Sequence, residues 1–146
     1  MRLQVVEDVN NPEIQENEKK FKEDIEKIWK CNLERLPIVY SFDYAVVPHS
    51  KNIKAWIELK NRNFYSYTFK DSLINLSKWI KGNELQDNTG LPSILALRYY
   101  DKDLYYKFNK NDNIIIKWGA RTKKTRDWQD IGPAVHIPME LFKELK

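Results

Sequence analysis

The sequence of 146 residues is poor in cysteine and histidine, with one Cys and two His. Cys31 has no second cysteine with which to form an internal disulfide. One cysteine and two histidines also fall short of the four ligands that a structural zinc site takes from these residue types. Any catalytic chemistry must therefore rest mainly on carboxylates, lysine and arginine.

Long apolar runs are absent as well. No stretch approaches the roughly 18–20 uninterrupted apolar residues of a membrane span, and residues 1–8 lack the apolar run of a signal peptide. The chain is nevertheless 42% hydrophobic, which is enough to bury a core. Its length suits one domain over residues 1–146. We therefore expect a single cytoplasmic domain with no membrane partner.

The positive charge is concentrated in one segment. The whole chain carries a net charge of +4, yet residues 117–126 contain no acid. The cations of this segment are Lys117, Arg121, Lys123, Lys124 and Arg126. Such a cluster could bind phosphates, and neighbouring Trp118 and Trp128 could stack on bases. A solvated surface loop is the alternative interpretation.

An amphipathic helix is predicted near the start of the chain. Apolar Ile14, Phe21, Ile25 and Ile28 follow helical spacing, and charges fill most of the other positions. Glu18 falls on the same inward stripe. A carboxylate on the buried face of a regular helix requires an explanation, because burying a charge is costly.

The rest of the chain alternates between extended and helical patterns. A second helix is predicted over residues 69–81 with Gly82 as its stop, followed by a polar loop over residues 83–92. Strands are predicted over residues 38–47, 53–60, 93–100, 104–108, 114–118 and 134–137, and a last helix from Pro138. This order predicts an α/β fold, with one mixed sheet flanked by helices.

The segment Glu58-Leu59-Lys60 ends a predicted apolar strand. Strand geometry places Glu58 and Lys60 on the same face, roughly 7 Å apart, while Leu59 points into the packing on the other face. A Glu-x-Lys spacing is a weak motif alone, and a cross-strand ion pair would also explain it. Its position at the end of an apolar strand separates it from the copies at residues 18–20 and 144–146.

Asp43 interrupts the apolar run over residues 38–47. Acids are disfavoured inside strands, and two nearby buried carboxylates repel. If the two strands are neighbours, Asp43 and Glu58 could converge, and a divalent cation would resolve the repulsion. Oxygen ligands favour Mg²⁺ or Mn²⁺ over zinc. Such a site suits phosphodiester hydrolysis, in which Lys60 could stabilise the developing charge.

At these residues the chain resembles the PD-(D/E)XK nuclease superfamily. The shared core of that superfamily is a helix, strands bearing Asp and then Glu-x-Lys, a second helix and a further strand. Asp43 matches the first acid, Glu58 and Lys60 match the second acid and the lysine, and Glu18 matches an acid on the first helix of many members. The proline of the superfamily name is missing, since Ser41 and Phe42 precede Asp43.

Over about residues 15–140, the sequence is particularly similar to small phage-borne members of this superfamily. The stretches that carry the likeness are residues 42–47, 55–60, 72–79, 89–92 and 135–138. The resemblance implies a restriction-endonuclease-like α-β-β-β-α-β core. It also implies an Mg²⁺- or Mn²⁺-dependent deoxyribonuclease acting in phage DNA replication, recombination or repair, in the cytoplasm of the host cell.

The expected site residues divide into three groups. Catalysis is assigned to Asp43, Glu58 and Lys60, and metal binding to Asp43, Glu58, Leu59 and Glu18. Nucleic-acid binding is assigned to Arg62, Asn63, Arg121, Lys123, Lys124 and Arg126, because Arg62 and Asn63 directly follow the lysine of the site.

Two other interpretations stay open at this point. One is a non-catalytic nucleic-acid-binding protein on a degenerate nuclease core, although intact Asp43, Glu58 and Lys60 argue against it. The other is a phage interaction protein that binds a host or replication factor. The hairpin tyrosines that would serve it, or would mediate a homodimer, are Tyr99, Tyr100, Tyr105 and Tyr106.

Overall fold

The computed structural model describes residues 12–118 and 132–146, which form two helices and nine strands. In chain order these are α1 (Pro12–Trp29), β1 (Asn32–Arg35), β2 (Tyr44–Val47), β3 (Ala55–Asn61), β4 (Asp71–Asn75), α2 (Leu76–Thr89), β5 (Ser93–Arg98), β6 (Asp103–Lys107), β7 (Ile115–Trp118), β8 (Pro133–Pro138) and β9 (Lys143–Glu144). Neither helix is both long and apolar enough to cross a membrane.

The main sheet has six strands in the order β1-β2-β3-β5-β6-β9. β3 and β5 are parallel and lie at its centre, whereas the other neighbouring pairs are antiparallel. A central strand that is covered on both faces is apolar on both faces. This placement explains why β3 is buried continuously from Ala55 to Leu59. The predicted α/β fold with a mixed sheet flanked by helices is confirmed.

The predicted alternation of side chains along β3 is also observed. Ile57 and Leu59 pack in one core cluster with Phe21 and Ile25 of α1. Trp56 belongs to the cluster on the other face, whose members include residues of α2 and of the second sheet. Period-2 geometry therefore directs Glu58, which shares its face with Trp56, away from the apolar contacts of α1.

A second sheet of three strands has the order β4-β8-β7. β4 pairs antiparallel with β8 from Asp71↔Pro138 to Asn75↔Ala134. Ile74 of β4 joins Val135 and Ile137 of β8 in the core cluster that also contains Trp79. This sheet and α2 together pack against the main sheet.

The predicted helix over residues 69–81 is wrong in its boundaries. Residues 71–75 form β4, and the helix begins only at Leu76. Apolar residues at positions 69, 73, 76 and 80 match helical spacing, but Phe69 and Ile80 are exposed. Pairing with β8 buries Ser72, Leu73 and Ile74 instead, so a long-range contact overrides the local pattern.

The stop at Gly82 and the loop over residues 83–92 are also wrong, because α2 continues to Thr89. Gly82 lies inside the helix against the ring of Phe108, where a Cβ atom would meet Cε2 at 2.4 Å. The helix ends instead at Gly90, whose φ of 73° provides the left-handed cap. Glycine at position 82 thus serves close packing.

Two further boundaries differ from the prediction. Ile38 to Tyr40 form a 3₁₀ turn, so only Tyr44–Val47 of the predicted strand over residues 38–47 is extended. Beyond Pro138, the chain makes another 3₁₀ turn and then β9, which pairs with β6. Exposure of Ile38 and Val39 explains the first error, because an apolar run that lies on the surface gains nothing from pairing.

The four hairpin tyrosines do not form one surface. Tyr99 and Tyr106 are buried in the core, Tyr105 is partly buried, and Tyr100 is exposed. A homodimer through these residues therefore receives no support from their placement.

Candidate active site

Asp43 lies directly before β2 and beside the middle of β3. The antiparallel register pairs Tyr44 with Ile57, so its continuation places Asp43 opposite Glu58. Asp43 Oδ2 accepts a hydrogen bond from the backbone N–H of Leu59 at 2.9 Å. The expected convergence of the two strands is thus present, and Asp43 is held against the Glu-x-Lys segment.

Glu58 is a buried carboxylate, with a relative exposure of 3%. Its ion-pair partner is Lys78 of α2, whose Nζ lies 3.3 Å from Oε2 and 3.4 Å from Oε1. The same Nζ donates a hydrogen bond to the backbone carbonyl of Ser41 at 2.7 Å. A buried charge is costly unless an opposite charge compensates it, and the ammonium group of Lys78 provides that compensation for Glu58.

The charges of Asp43, Glu58, Lys60 and Lys78 act on one another. Burial, and secondarily the charge of Asp43, raise the pKa of Glu58 to about 7, while Lys60 and Lys78 oppose this shift. Burial also raises the pKa of Asp43, although the Leu59 N–H and the charges of Lys60 and Lys78 act in the opposite direction. Two carboxylates and two ammonium groups therefore interact beside the middle and second half of β3.

Lys78 had no assigned role in the sequence. The reason is the misplaced helix start: in a helix over residues 69–81, Lys78 would fall in the last turn, where the macrodipole favours a cation. In the actual helix it lies in the first turn, where the macrodipole disfavours a cation. Given the correct start at Leu76, that position would have indicated an anionic partner.

Glu18 lies on the face of α1 that the apolar stripe predicted. Phe21 and Ile25 of that stripe are buried, and Glu18 accepts hydrogen bonds from Arg35 and from the Tyr44 hydroxyl. Its charge contributes to the raised pKa of Asp43. Within residues 12–118 and 132–146, however, no three Asp, Glu, His or Cys side chains form a group that could hold a metal ion. Glu18 as a third ligand stays a prediction.

The donor set fits a magnesium-type ion. Mg²⁺ is usually bound by one or two protein carboxylates, with water and substrate phosphate completing its shell. Asp43 and Glu58 provide two carboxylates, and they lie where mutual repulsion favours a cation. Leu59 could add only a main-chain oxygen, because its hydrocarbon side chain carries no ligand atom and packs in the core.

The residues assigned to nucleic-acid binding have different surroundings. The guanidinium of Arg62 donates to the carbonyl of Leu73 at 2.8 Å and so joins the end of β3 to β4. Asn63 is exposed. Arg121, Lys123, Lys124 and Arg126 lie outside the described residues, whereas Lys117 and Trp118 are exposed on β7.

Comparison with known proteins agrees with this geometry. A search of curated proteins finds no match. The model of the protein family described as "Phage putative PDDEXK endonuclease" matches residues 11–145, which is nearly the whole chain and includes the residues of the candidate site. The resemblance to a phage-borne PD-(D/E)XK nuclease is thereby confirmed, and the chain belongs to this family of phage endonucleases.

Proposed function

We propose that this protein is a metal-dependent nuclease that hydrolyses phosphodiester bonds in DNA. The observation that carries the proposal is the buried Glu58 beside Asp43, with Lys60 and Lys78 close to both. Folding gains little from burying Glu58 beside a second carboxylate, so this pair favours a catalytic role.

Asp43 and Glu58 would hold Mg²⁺ or Mn²⁺, with the main chain at Leu59 as a further oxygen donor and Glu18 as a direct or water-mediated one. The bound cation would polarise the phosphate and lower the pKa of the attacking water. Because Asp43 is tied to Leu59 by a hydrogen bond, its carboxylate is oriented before any ligand arrives.

Lys60 directly follows the buried residues of β3, and its own side chain is half-buried. Its ammonium group lies close enough to Asp43 and Glu58 to lower the pKa of both carboxyls. From that position Lys60 would donate hydrogen bonds to a phosphate oxygen and stabilise the negative charge that develops during hydrolysis. Lys78 would keep Glu58 ionised and oriented.

The test is incubation with branched, single-stranded and linear duplex DNA in Mg²⁺ or Mn²⁺. We expect the wild type to cleave at least one substrate, and Asp43→Asn and Lys60→Ala to lose cleavage while keeping the native circular dichroism spectrum. Lys110→Ala, which removes a lysine paired with Asp87 at the surface, is the matched control. Unchanged cleavage in both site variants would refute the assignment.

Absence of cleavage with every substrate would favour the alternative of an inactive nucleic-acid-binding or phage–host interaction protein. A role in phage DNA replication, recombination or repair, and a location in the host cytoplasm, stay predictions that the family match supports at the level of a phage endonuclease.

A further inference from the structure

Three exposed tyrosines form a cluster after the ends of β3 and β5. Tyr65, Tyr67 and Tyr100 have relative exposures of 47%, 76% and 64%. The ring of Tyr65 stacks on Tyr67 with centroids 5.3 Å apart, and meets Tyr100 edge-on at 5.3 Å. We propose that this tyrosine cluster binds unpaired bases of a single-stranded DNA segment in the substrate.

The cluster is held in place by hydrogen bonds on both sides. The Ser66 N–H and hydroxyl donate to the two carboxylate oxygens of Asp101 at 2.8 and 2.6 Å. The Tyr100 N–H donates to the carbonyl of Phe64 at 3.1 Å. A surface that is ordered before binding pays little conformational entropy when a ligand stacks on it.

Two exposed lysines, Lys70 and Lys102, lie in the segments that carry the tyrosines. Asp101 is also charged, but its two carboxylate oxygens accept hydrogen bonds from Ser66. A nucleic-acid strand would therefore meet aromatic faces for its bases and cations for its phosphates. Aromatic side chains beside a positively charged path are the combination by which proteins bind single strands.

The position of the tyrosine cluster relative to the candidate active site also supports single-stranded DNA as its ligand. β3 and β5 are parallel, with Lys60 opposite Leu97, so the segments that follow both strands leave the sheet at the same edge. Five residues separate Lys60 from Tyr65, a distance of at most about 18 Å for an extended chain. One strand could thus contact the cluster and present a phosphodiester at the site, an inference that rests on the proposed nuclease function.

A protein partner or a second copy is less consistent with the surroundings. Standard interfaces bury about 800 Å² per partner and have cores depleted of charged residues. Here three charged residues, Lys70, Asp101 and Lys102, lie in the segments that carry the tyrosines. Nucleotide bases need only small aromatic platforms, which the stacked pair of Tyr65 and Tyr67 provides.

The experiment measures DNA binding by fluorescence anisotropy in a chelator, so that binding is separated from hydrolysis. The probes are a labelled single strand of about 12 nucleotides and a blunt duplex of the same length. Tyr67→Leu keeps an apolar side chain but loses the flat ring, and Tyr67→Phe keeps the ring. We expect Tyr67→Leu to weaken single-strand binding about fivefold or more, with Tyr67→Phe close to wild type and duplex binding little changed.

Ile53→Ala is the surface control, since Ile53 is exposed and precedes the opposite, amino end of β3. Unchanged single-strand binding in the double variant Tyr65→Leu/Tyr67→Leu would overturn the inference, as would no measurable single-strand binding by the wild type. It would equally be overturned if sedimentation showed a dimer that Tyr67→Leu dissociates. Failure of the nuclease proposal is separate, because it would appear as absent hydrolysis in Mg²⁺ or Mn²⁺.

Discussion

Lys78 Nζ lies 3.3 Å from the buried Oε2 of Glu58 and joins the first turn of α2 to the central strand β3. The same ammonium group donates to the carbonyl of Ser41, two residues before Asp43. Lys78 therefore contacts both segments that carry the candidate carboxylates. Its charge lowers the pKa of both carboxyls and so opposes the effect of burial.

Replacement of Lys78 by Met should destabilise the metal-free protein by about 1–3 kcal/mol above neutral pH, because Glu58 then lacks its ion-pair partner. The loss is smaller than for a fully buried pair, since the Lys78 side chain is 31% exposed. Urea denaturation in a chelator measures it. Lys81→Met removes a lysine that pairs with exposed Glu84 on the same helix and should cost at most about 0.5 kcal/mol. Equal losses in the two variants would contradict the prediction.

The stability of the metal-free protein should fall as pH rises from about 4.5 to about 7 and level off above that. Folding raises the pKa of Glu58 from its ordinary value of 4.5 to about 7, so the folded state binds more protons between these two values. The contribution, on the order of 3 kcal/mol, is complete below the unfolded pKa and is lost above the folded one. Glu58→Gln removes the titrating carboxyl but leaves both histidines in place, so its profile of stability against pH should lack this component. An identical pH profile in the variant would exclude Glu58 as its source.

Replacement of Gly82 by Ala should destabilise the fold, although alanine favours a helix by up to about 1 kcal/mol. The added Cβ would lie 2.4 Å from Cε2 of Phe108, whose ring is buried and stacks on Trp79. Overpacking of this kind costs about 1–3 kcal/mol. In a Phe108→Leu background the cost should shrink, because the smaller side chain leaves room. Thermal denaturation of the four proteins completes the cycle, and strictly additive effects would argue against the clash.

Replacement of Glu18 by Gln should slow DNA cleavage less than replacement of Glu58 by Gln. Arg35 and Tyr44 hold Glu18, and its charge acts on Asp43, so we expect a water-mediated rather than a direct role at the metal. Loss of such a supporting group typically costs about 10- to 100-fold, whereas loss of a principal carboxylate should cost at least about 1,000-fold. Single-turnover rates at saturating Mg²⁺ provide the comparison. Equal losses would instead identify Glu18 as a direct ligand.

Neutralisation of the basic segment should weaken DNA binding and flatten its dependence on salt. The variant replaces four cations by Gln: Arg121, Lys123, Lys124 and Arg126. If all four contact phosphates, the slope of log K against log salt becomes shallower by about 3. A control with the same change in charge replaces four exposed lysines elsewhere, namely Lys27, Lys30, Lys143 and Lys146. Equal slopes in the two variants would remove the segment from the DNA-binding surface.

The convergence of Asp43 with the Glu58–Lys60 segment was predictable because it depends on short-range rules. Alternation along a strand places Glu58 and Lys60 on one face, and two neighbouring strands bring in Asp43. Helical spacing predicts the inward face of α1 in the same way, with Phe21 and Ile25 buried as expected, although Ile28 of that stripe is 40% exposed. Apart from Ile28, the burial of these residues agrees with their local secondary structure.

The second helix was not predictable from spacing alone. Leu73 and Leu76 fit a helical stripe, yet Leu73 belongs to β4 because residues 71–75 pair with residues 134–138. Such pairing involves segments about sixty positions apart, so its energy does not appear in any local window. The error shifted the helix start and concealed the ion pair between Lys78 and Glu58.

The sequence by itself determined which chemistry was available: its scarcity of Cys and His left carboxylates and lysines, and strand periodicity placed Glu58 with Lys60. Only the tertiary structure decided which further groups join them. Lys78 reaches Glu58 because β4 delays the start of α2, and Tyr100 meets Tyr65 because β3 and β5 run parallel. Periodicity is a property of neighbouring residues, whereas these contacts depend on which distant segments bury one another.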